Sequence, residues 1–580
     1  MYANEKNIQI VVALLKKYGV QHVVVSPGGR SIPIIRSIES ESFFSVYSIT
    51  DERSAAYFAM GMAQSLKQPV AALCTSGTAV CNYLPAVTEA FYQKVPLVVL
   101  TGDRNPYYLD QMEIQMINQI HTFDNVTKKS VTLPVVKNNE DEWYCWRLVN
   151  EALLEMNHHG FGPVRINIPN DSGPCSVLKL PDTVALKKVL PTDPEDVWES
   201  YIQQLKAAKR ILVICGQGPR YSAEDIENIE QFTRQYNCVI SVEHLSNLNC
   251  SGCIRTYPVT EFFCKNDLSK LLPDLVITLG EHIAAGRIKS ILRDHKGEFR
   301  HWCIDETGKV KDGFKSLTTI FECTPSIFFK QFAKKASETI SNDGSYMNQW
   351  QAALKKIKYP EFPLCHMRVA QELAKALPDN SILHLAILSS IRWMQFWDIP
   401  KNIEVFANIG TLGTDGSLSS LLGQAAVTDK LCFLMIGDMS FFYDMNAVRI
   451  KHIGSNVRIV MINNSGGGEF DLGFRHKMKN IENNIIALNR TEAAGWIESL
   501  GFNYCAARKK QELVDGISML VGESDRPVFF EVFTDMQRDT DTMIEFMVEN
   551  SQQAGQGIKS AAKSILGNRG TEIVRSILNK

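Results

Sequence analysis

Short, continuous apolar runs alternate with helical segments along most of this chain, and this alternation is the feature that most constrains the fold. Runs such as HVVV (22–25), PVAALC (69–74) and VPLVVL (95–100) each follow a helix-like segment. A strand that is apolar at every position, rather than at every second one, is buried on both faces, as in a parallel sheet covered by helices. The sequence therefore predicts an α/β fold.

Three segments of this kind follow one another along the 580 residues, too many for one hydrophobic core. The pattern predicts three doubly wound parallel-sheet domains, over residues 1–182, 195–350 and 360–550. Pro-containing and polar stretches between them interrupt the apolar periodicity, which is typical of linkers. Residues 551–580 are expected to form a basic amphipathic tail, which could bind a membrane surface or a partner, or pack on the protein itself.

Charge and cysteine usage indicate a cytoplasmic protein. The net charge is -2, which gives no electrostatic reason to expect nucleic acid or membrane as a partner. No apolar run approaches the roughly eighteen residues of a membrane span, and the first residues lack the features of a signal peptide. The 14 cysteines lack regular spacing, which favours free thiols. One CxxC pair, Cys250 and Cys253, leaves a zinc site open as an alternative.

Two apolar strands in the third predicted domain end in oxygen-bearing residues. The first ends at Gly437-Asp438, and the second ends at Asn463-Asn464 before a glycine-rich loop. The carboxyl ends of parallel strands meet at one edge of the sheet, where α/β proteins bind ligands. A carboxylate, an amide oxygen and a loop carbonyl suit Mg²⁺, and glycines let the backbone approach a diphosphate. Both motifs at this separation favour a cofactor site over two ordinary turns.

This spacing resembles the diphosphate-anchoring motif of thiamine diphosphate (ThDP) enzymes. The resemblance implies ThDP and Mg²⁺ as cofactors, with the side chains of Asp438 and Asn464 and the carbonyl of Gly466 as metal ligands. The other residues that it implies for cofactor binding are Glu52, Ser76, Gly77, Thr78, Gly437, Met439 and Gly467.

The pyrimidine ring of such a cofactor needs a carboxylic acid that shares a proton with its N1′ atom. Glu52 follows the strand-like FFSVYSIT and opens the apolar helix SAAYFAMGMA. The alternative is a structural acid in the first helical turn, with Asp51 as the helix cap. Taken with the downstream motif, the sequence favours Glu52 as the catalytic acid.

Longer stretches narrow the resemblance to one branch of these enzymes. SPGGRSIPI, DERSAAYFAMGMA, TSGTAV…LTGDRNP and GDMSFFYDMNAV…INNSGGGEF are similar to the 2-succinyl-5-enolpyruvyl-6-hydroxy-3-cyclohexene-1-carboxylate synthase family of menaquinone biosynthesis. That family implies a three-domain ThDP-binding fold and a carboligase reaction. In this reaction 2-oxoglutarate is decarboxylated and the acyl carbanion is transferred to isochorismate. It also implies a homodimer or homotetramer, in which Glu52 of one chain reaches a cofactor bound by Asp438 and Asn464 of another.

Substrates with several carboxylates require cationic side chains, and here the chain departs from the family. The resemblance implies four substrate contacts: Arg30, Arg104, Gln115 and Arg392. Four positions differ from the family pattern. Gly29 and Leu388 each stand where a serine is expected, Gly286 where a lysine is expected, and Ile409 where an arginine is expected. Glu469 adds a carboxylate beside the cofactor, where the family has an apolar residue, and we count it as a fifth candidate contact.

The first hypothesis is therefore the menaquinone-pathway reaction. A second is a related 2-oxoacid decarboxylase or carboligase with another donor or acceptor, in another small-molecule or sugar pathway. A third, of another class, is a catalytically silent ThDP-fold protein with a regulatory role. The glycine-rich turn GQGPR (216–220) leaves a flavin-binding variant conceivable.

Overall fold

The structure is a computed structural model that describes residues 1–263, 265–334, 342–474 and 482–553. It divides into two compact units. The first comprises Met1–Leu190 and Gly308–Glu322, and the second comprises Pro191–Thr307 and Cys323–Lys580. Nearly all of the predicted basic tail, from residue 554 onward, lies outside the described residues. In the part of the chain that is described, no helix is long and apolar enough to cross a bilayer.

The first unit is built on a six-stranded parallel sheet. In order across the sheet, its strands are Ser45–Ser48, His22–Val25, Val70–Cys74, Leu97–Asp103, Val164–Pro169 and Lys129–Thr132. Alternate residues of one strand enter different cores: Val23 and Val25 pack in one, and Val24 packs in the other. The strands are thus buried on both faces, and the α/β prediction is confirmed.

Helices and short strand pairs complete this unit. Its helices are Lys6–Lys17, Ile32–Glu39, Glu52–Leu66, Thr78–Tyr92 and Asn139–Glu155, with a 3₁₀ turn at Pro106–Tyr108. Strand Tyr2–Ala3 pairs antiparallel with Cys175–Val177, and Lys187–Val189 pairs parallel with Leu317–Phe321. The last pairing fixes the chain segment Gly308–Glu322 within the first unit.

The second unit contains parallel strands in two groups. One runs in the order Cys253–Ile254, Cys238–Ser241, Ile211–Cys215, Leu275–Leu279 and Arg300–Ile304. The other is a six-stranded sheet in the order Glu404–Phe406, Ile382–Leu385, Cys432–Gly437, Val457–Asn463, Val528–Phe533 and Asn503–Ala507. These groups fall within the predicted segments 195–350 and 360–550, whose boundaries as domains stay a prediction.

The helices of the second unit lie between these strands along the chain. Those before residue 360 are Glu195–Ala207, Ala223–Gln235, Tyr257–Phe262, Lys265–Leu268, Gly286–Asp294, Pro325–Lys334 and Ser345–Leu354. Those after it are His366–Ala376, Ser389–Met394, Ser417–Ala425, Asp438–Asp444, Gly468–Phe474, Ala494–Ser499, Lys510–Val521 and Met536–Gln553. Single turns of 3₁₀ or π type occupy His244–Ser246, Ser269–Leu271, Met445–Arg449 and Glu482–Ile486.

The cysteine prediction is wrong at one pair. Cys250 and Cys253 form a disulfide with their Cα atoms 5.3 Å apart, so they are neither free thiols nor zinc ligands in this structure. That Cα separation lies within the range that a disulfide spans. The other cysteines of the described residues are free thiols, most of them buried, as predicted.

Candidate active site

Asp438 lies where two neighbouring strands of the second unit end. Strand Cys432–Gly437 pairs with Val457–Asn463 so that Gly437 lies opposite Ile462, which brings both predicted motifs to one sheet edge. Asp438 is buried, and its Oδ1 accepts a hydrogen bond of 2.8 Å from the amide of Met439. Its Oδ2 is also buried but has no hydrogen bond partner among the described residues. Burial raises the pKa of Asp438 to about 7, although amides of Met439, Gly466 and Ser465 offset part of this effect.

Asn464, directly after the second strand, is oriented by a buried acid. Its Nδ2 donates to Asp539 Oδ2 over 3.1 Å, which leaves the amide oxygen available. Asp539 also accepts hydrogen bonds from the His366 amide and from the Thr534 hydroxyl. Burial raises the pKa of Asp539 to about 6, and these donors lower it in part. A fixed amide oxygen and an unpaired carboxylate oxygen are therefore held at the same edge.

The loop after Asn464 packs tightly around its glycines. Gly466 has φ +157°, and a Cβ on it would lie 3.1 Å from Ile486. A Cβ on Gly467 would lie 2.9 Å from Phe470 and 3.3 Å from the Met439 sulfur. The loop therefore exposes its backbone close to Asp438, as a diphosphate-binding loop requires. An orphaned carboxylate oxygen beside this backbone fits a Mg²⁺–diphosphate group.

Glu52 is the first residue of helix Glu52–Leu66 in the first unit, and it is half-buried. Asp51 caps the helix, because its side chain accepts a hydrogen bond from the Ser54 amide. Glu52 is therefore not required as the cap, and its carboxylate lies in the positive field of the helix N-terminus. The cap on Asp51 is what the structural alternative predicts, so the catalytic role of Glu52 stays a prediction.

Ser76, Gly77 and Gln115 form one group after strand Val70–Cys74. Gln115 Nε2 donates to the Ser76 carbonyl over 3.2 Å, and the Ser76 hydroxyl donates back to the Gln115 carbonyl. Gly77 has φ +84° and precedes helix Thr78–Tyr92, and a Cβ on it would lie 3.1 Å from Gln115. Thr78, the first residue of that helix, is exposed.

Two of the predicted substrate arginines repel each other at the same sheet edge. Arg30 is held by its amide to Thr75 Oγ1 and by its guanidinium to the Asn170 carbonyl, each over 3.0 Å. Burial, followed by the charge of Arg104, lowers the pKa of Arg30. Arg104 itself pairs with Glu113 at 3.5 Å. Asp171, Glu113 and Asp103 offset part of the lowering of the Arg30 pKa. Two neighbouring guanidinium groups suit a ligand that carries more than one carboxylate.

A cavity of about 470 Å³ in the second unit brings together three of the four positions that depart from the family pattern; the fourth, Gly29, belongs to the first unit. The cavity wall includes Arg392, Gly286, Leu388 and Ile409. Leu388 has φ +61°, a left-handed conformation that is strained for a branched side chain and is often found at functional sites. A second cavity of about 680 Å³ in this unit contains none of the predicted site residues.

Arg392 lines this cavity, and its guanidinium already has a partner. Its two terminal nitrogens donate to the two oxygens of Glu469 over 2.8 and 2.7 Å, in a bidentate ion pair. Burial acts to lower the pKa of Arg392, but Glu469, Tyr257 and Glu261 together outweigh it, and the pKa is raised. Glu469 is thus paired with a predicted substrate contact.

Three residues that the sequence did not indicate contribute to the site. Lys289 lines the cavity one helical turn after Gly286, with its ammonium bonded to the Ile283 carbonyl over 2.8 Å. Gln395 lines it one turn after Arg392, and neither end of its buried amide has a partner in the described part of the chain. Asp539 orients Asn464, as described above. The three-residue spacing on a helix was the available signal for Lys289 and Gln395.

The predicted residues therefore fall into two groups. Arg30, Ser76, Gly77, Arg104 and Gln115 converge in the first unit, where Glu52 and Thr78 begin the helices that follow two of its strands. In the second unit the converging residues are Gly437, Asp438, Met439, Asn464, Gly466 and Gly467, and Arg392 with Glu469 form a separate pair.

Residues 6–122 match the family described as "Thiamine pyrophosphate enzyme, N-terminal TPP binding domain". Curated relatives named 2-succinyl-5-enolpyruvyl-6-hydroxy-3-cyclohexene-1-carboxylate synthase match over most of the chain. The protein of Bacteroides fragilis is 38% identical over 561 residues, covering 93% of this chain and 98% of its own. That of Bacteroides thetaiotaomicron is 37% identical over 568 residues, covering 95% and 100%. That of Flavobacterium psychrophilum is 32% identical over 543 residues, covering 91% and 95%.

Proposed function

This chain belongs to the 2-succinyl-5-enolpyruvyl-6-hydroxy-3-cyclohexene-1-carboxylate synthase family, and from this membership we propose its reaction. It decarboxylates 2-oxoglutarate and transfers the remaining four-carbon unit to isochorismate, a step of menaquinone biosynthesis. The observation that carries the proposal is the buried, unpaired Oδ2 of Asp438 beside the oriented amide of Asn464. A buried carboxylate oxygen without a partner lowers the stability of the fold, and in a relative that had lost the cofactor no bound ion would offset this loss.

The second unit would hold the diphosphate end of the cofactor. Asp438, Asn464 and the Gly466 carbonyl are the proposed Mg²⁺ ligands, with Gly437, Met439 and Gly467 against the diphosphate, and Asp539 fixes the orientation of Asn464. When bound, thiamine diphosphate supplies the electron sink for the pair released as carbon dioxide leaves.

The first unit would hold the pyrimidine end. Glu52 is the proposed proton partner of pyrimidine N1′, because it is half-buried and Asp51 already caps its helix. Ser76, Gly77 and Thr78 lie where a strand passes into the following helix, and their backbone would line the ring. The chain would thus provide one acid that exchanges a proton with the pyrimidine ring, and one turn that holds the ring in position.

Cations in both units would bind the substrate carboxylates. In the first unit these are Arg30 and Arg104, with Gln115 as a polar contact beside the Ser76 turn. In the second unit, Arg392 is joined by Lys289, which we assign to the role of the lysine missing at position 286. Burial lowers the pKa of Lys289, and a bound carboxylate would offset that effect.

We further propose that the working form is a homodimer with each active site shared between two chains. Helices Glu52–Leu66 and Thr78–Tyr92, which begin at the proposed pyrimidine site, expose large apolar side chains along their length. These are Tyr57, Phe58, Leu66, Leu84 and Tyr92. A partner chain that packs on these two helices would cover this apolar area.

Complementation between two inactive variants tests this arrangement. Glu52→Gln and Asp438→Ala chains, co-expressed with different affinity tags and isolated as the heterodimer, should recover about half of the wild-type rate, since one of two sites is intact. The rate is measured as carbon dioxide release. Each homodimeric variant serves as its own control and should stay inactive. A heterodimer as inactive as its parents would contradict the shared site.

The Arg392–Glu469 pair predicts an effect on donor binding. Glu469 occupies both terminal nitrogens of Arg392, so a substrate carboxylate must displace it. Glu469→Gln should therefore lower the KM for 2-oxoglutarate by about three- to tenfold, with little change in kcat. The matched control is Glu492→Gln, which breaks an exposed pair with Arg508 and should leave KM unchanged. A raised KM in Glu469→Gln would mean that Glu469 positions Arg392 instead of competing for it.

A panel of 2-oxoacids with and without isochorismate tests the proposed donor. Carbon dioxide release should be fastest with 2-oxoglutarate and should depend on isochorismate. Equal or faster turnover of a monocarboxylic 2-oxoacid would overturn the donor assignment. No release from any donor, with cofactor bound, would overturn the reaction itself.

A further inference from the structure

Two histidines and a glutamate converge in the first unit, away from every residue discussed so far. His158 and His159 follow helix Asn139–Glu155, and Glu322 follows strand Leu317–Phe321. His158 Nε2 lies 2.6 Å from Glu322 Oε2, and His159 Nε2 lies 2.7 Å from Glu322 Oε1. One ligand atom from each of the three residues lies within 4.8 Å of the others. A single ion could therefore contact all three side chains.

The closest pair in this cluster is an ion pair shielded from water. His158 Nε2 lies 2.6 Å from Glu322 Oε2, within hydrogen-bond distance, and the two side chains are only 12% and 6% exposed. Imidazole and carboxylate bind a metal ion in their deprotonated forms, so an ion would replace the proton that these two atoms share. The pair therefore already holds two ligand atoms around one position.

The surrounding side chains prepare His158 as a ligand. Glu155 Oε2 lies 3.0 Å from His158 Nδ1, so Glu155 would hold the Nδ1 proton while Nε2 binds the ion. Lys188 Nζ lies 3.0 Å from Glu155 Oε1 but 3.7 Å from Glu322 Oε2, so its charge acts mainly on the Glu155 carboxylate. Lys128 donates to the carbonyls of His158 and Gly160. Neither lysine takes the position between the imidazoles and Glu322.

The Glu322 carboxylate has space because the residue that it packs against, Gly308, has no side chain. Gly308 has φ +63°, and a side chain at this position would collide with the Glu322 carboxylate. His159 is 68% exposed and gives an ion a path from solvent. Zinc accepts imidazole nitrogen and carboxylate oxygen at about 2.0–2.2 Å, which requires these groups to separate by less than about 1 Å.

We propose that His158, His159 and Glu322 bind one Zn²⁺, with water in the fourth position and Glu155 as the support of His158. The ion would join the end of helix Asn139–Glu155 to the segment Gly308–Glu322, and so stabilise the first unit. This site is separate from the proposed Mg²⁺ ligands, which all belong to the second unit.

Calorimetric titration tests the site on tag-free, full-length protein that has been stripped with a chelator and reloaded with saturating Mg²⁺ and thiamine diphosphate. Addition of ZnCl₂ should show one ion per chain with a dissociation constant of roughly 1 µM or tighter, and should raise the thermal midpoint. His159→Ala and Glu322→Gln should each weaken binding at least tenfold and abolish the rise, while Glu155→Gln should weaken it by about tenfold.

His121→Ala is the matched control, because His121 forms an exposed pair with Asp124 in the same unit and should bind zinc as the wild type does. His159 is exposed, so its removal leaves the fold intact and the comparison interpretable. Two results would overturn the proposal. One is the absence of stoichiometric zinc binding by the wild type, and the other is equal affinity in the wild type, His159→Ala and Glu322→Gln.

Discussion

Replacement of Glu52 by glutamine should lower the rate of carbon dioxide release from 2-oxoglutarate by at least about a hundredfold, since general acid–base groups contribute 10²–10⁴-fold. Glutamine keeps the shape of the side chain but cannot exchange a proton with the pyrimidine ring. Cofactor binding should change little, because the diphosphate is anchored in the second unit by Asp438 and Asn464. The measurements are single-turnover carbon dioxide release and ThDP affinity.

The neighbouring acid provides the control. Asp51→Asn removes a charge one residue away, and asparagine caps helices as well as aspartate does, so stability and rate should both be retained. If Glu52→Gln were as active as Asp51→Asn, Glu52 would be no more than a first-turn acid. The proposed proton transfer would then need another group.

Asp438→Ala should weaken ThDP binding in the presence of Mg²⁺ by about thirtyfold or more, because it removes a charged partner from a buried ion. Titration calorimetry with ThDP at fixed Mg²⁺ measures this. In the wild type, protons compete with the metal for a carboxylate whose pKa burial has raised to about 7. The affinity should therefore fall as the pH drops through that value, and the Asp438→Ala protein should lack this dependence.

Asp444→Ala is the matched control for Asp438→Ala. Asp444 ends the same short helix that Asp438 begins, and it accepts hydrogen bonds from Ser419 at the surface. Its removal should leave cofactor affinity unchanged. Unaltered affinity in Asp438→Ala would refute the metal role of Asp438 and, with it, the assignment of the strand-end motif.

The parts of the site that could be predicted from the sequence are those that depend on local order along the chain. Gly437-Asp438 and Asn463-Asn464 each terminate an apolar strand, and parallel strands place such ends side by side. Asp51 and Glu52 begin a helix directly after a strand, and the cap falls on Asp51 as the local pattern allows. In these cases residues close together in sequence determine both the strand or helix that forms and the edge of the sheet at which its end lies.

The parts that could not be predicted depend on contacts between distant segments. Asp539 contacts Asn464 across 75 positions of sequence, and no periodicity connects the two. The Arg392–Glu469 pair likewise joins helix Ser389–Met394 to the start of helix Gly468–Phe474, 77 positions further along the chain. The sequence indicated each of these last two residues, but only the tertiary structure shows that one neutralises the other.

The fold also shows how three of the departures from the family pattern are related in space. Gly286, Leu388 and Ile409 are scattered in sequence but line one cavity, so the changes alter one surface together. Lys289 returns a cation to that surface, and the buried amide of Gln395 offers a donor and an acceptor. The cavity wall therefore keeps polar groups, and residues other than those of the family pattern supply them.

The central claim is that this chain joins a four-carbon unit from 2-oxoglutarate to isochorismate. The most direct test incubates the purified protein with ThDP, Mg²⁺ and both substrates, and identifies the product by mass spectrometry. We predict a product whose mass equals the sum of 2-oxoglutarate and isochorismate less carbon dioxide, formed by the wild type and not by Glu52→Gln. Unchanged isochorismate in a mixture where the wild-type protein has its cofactor bound would contradict the claim.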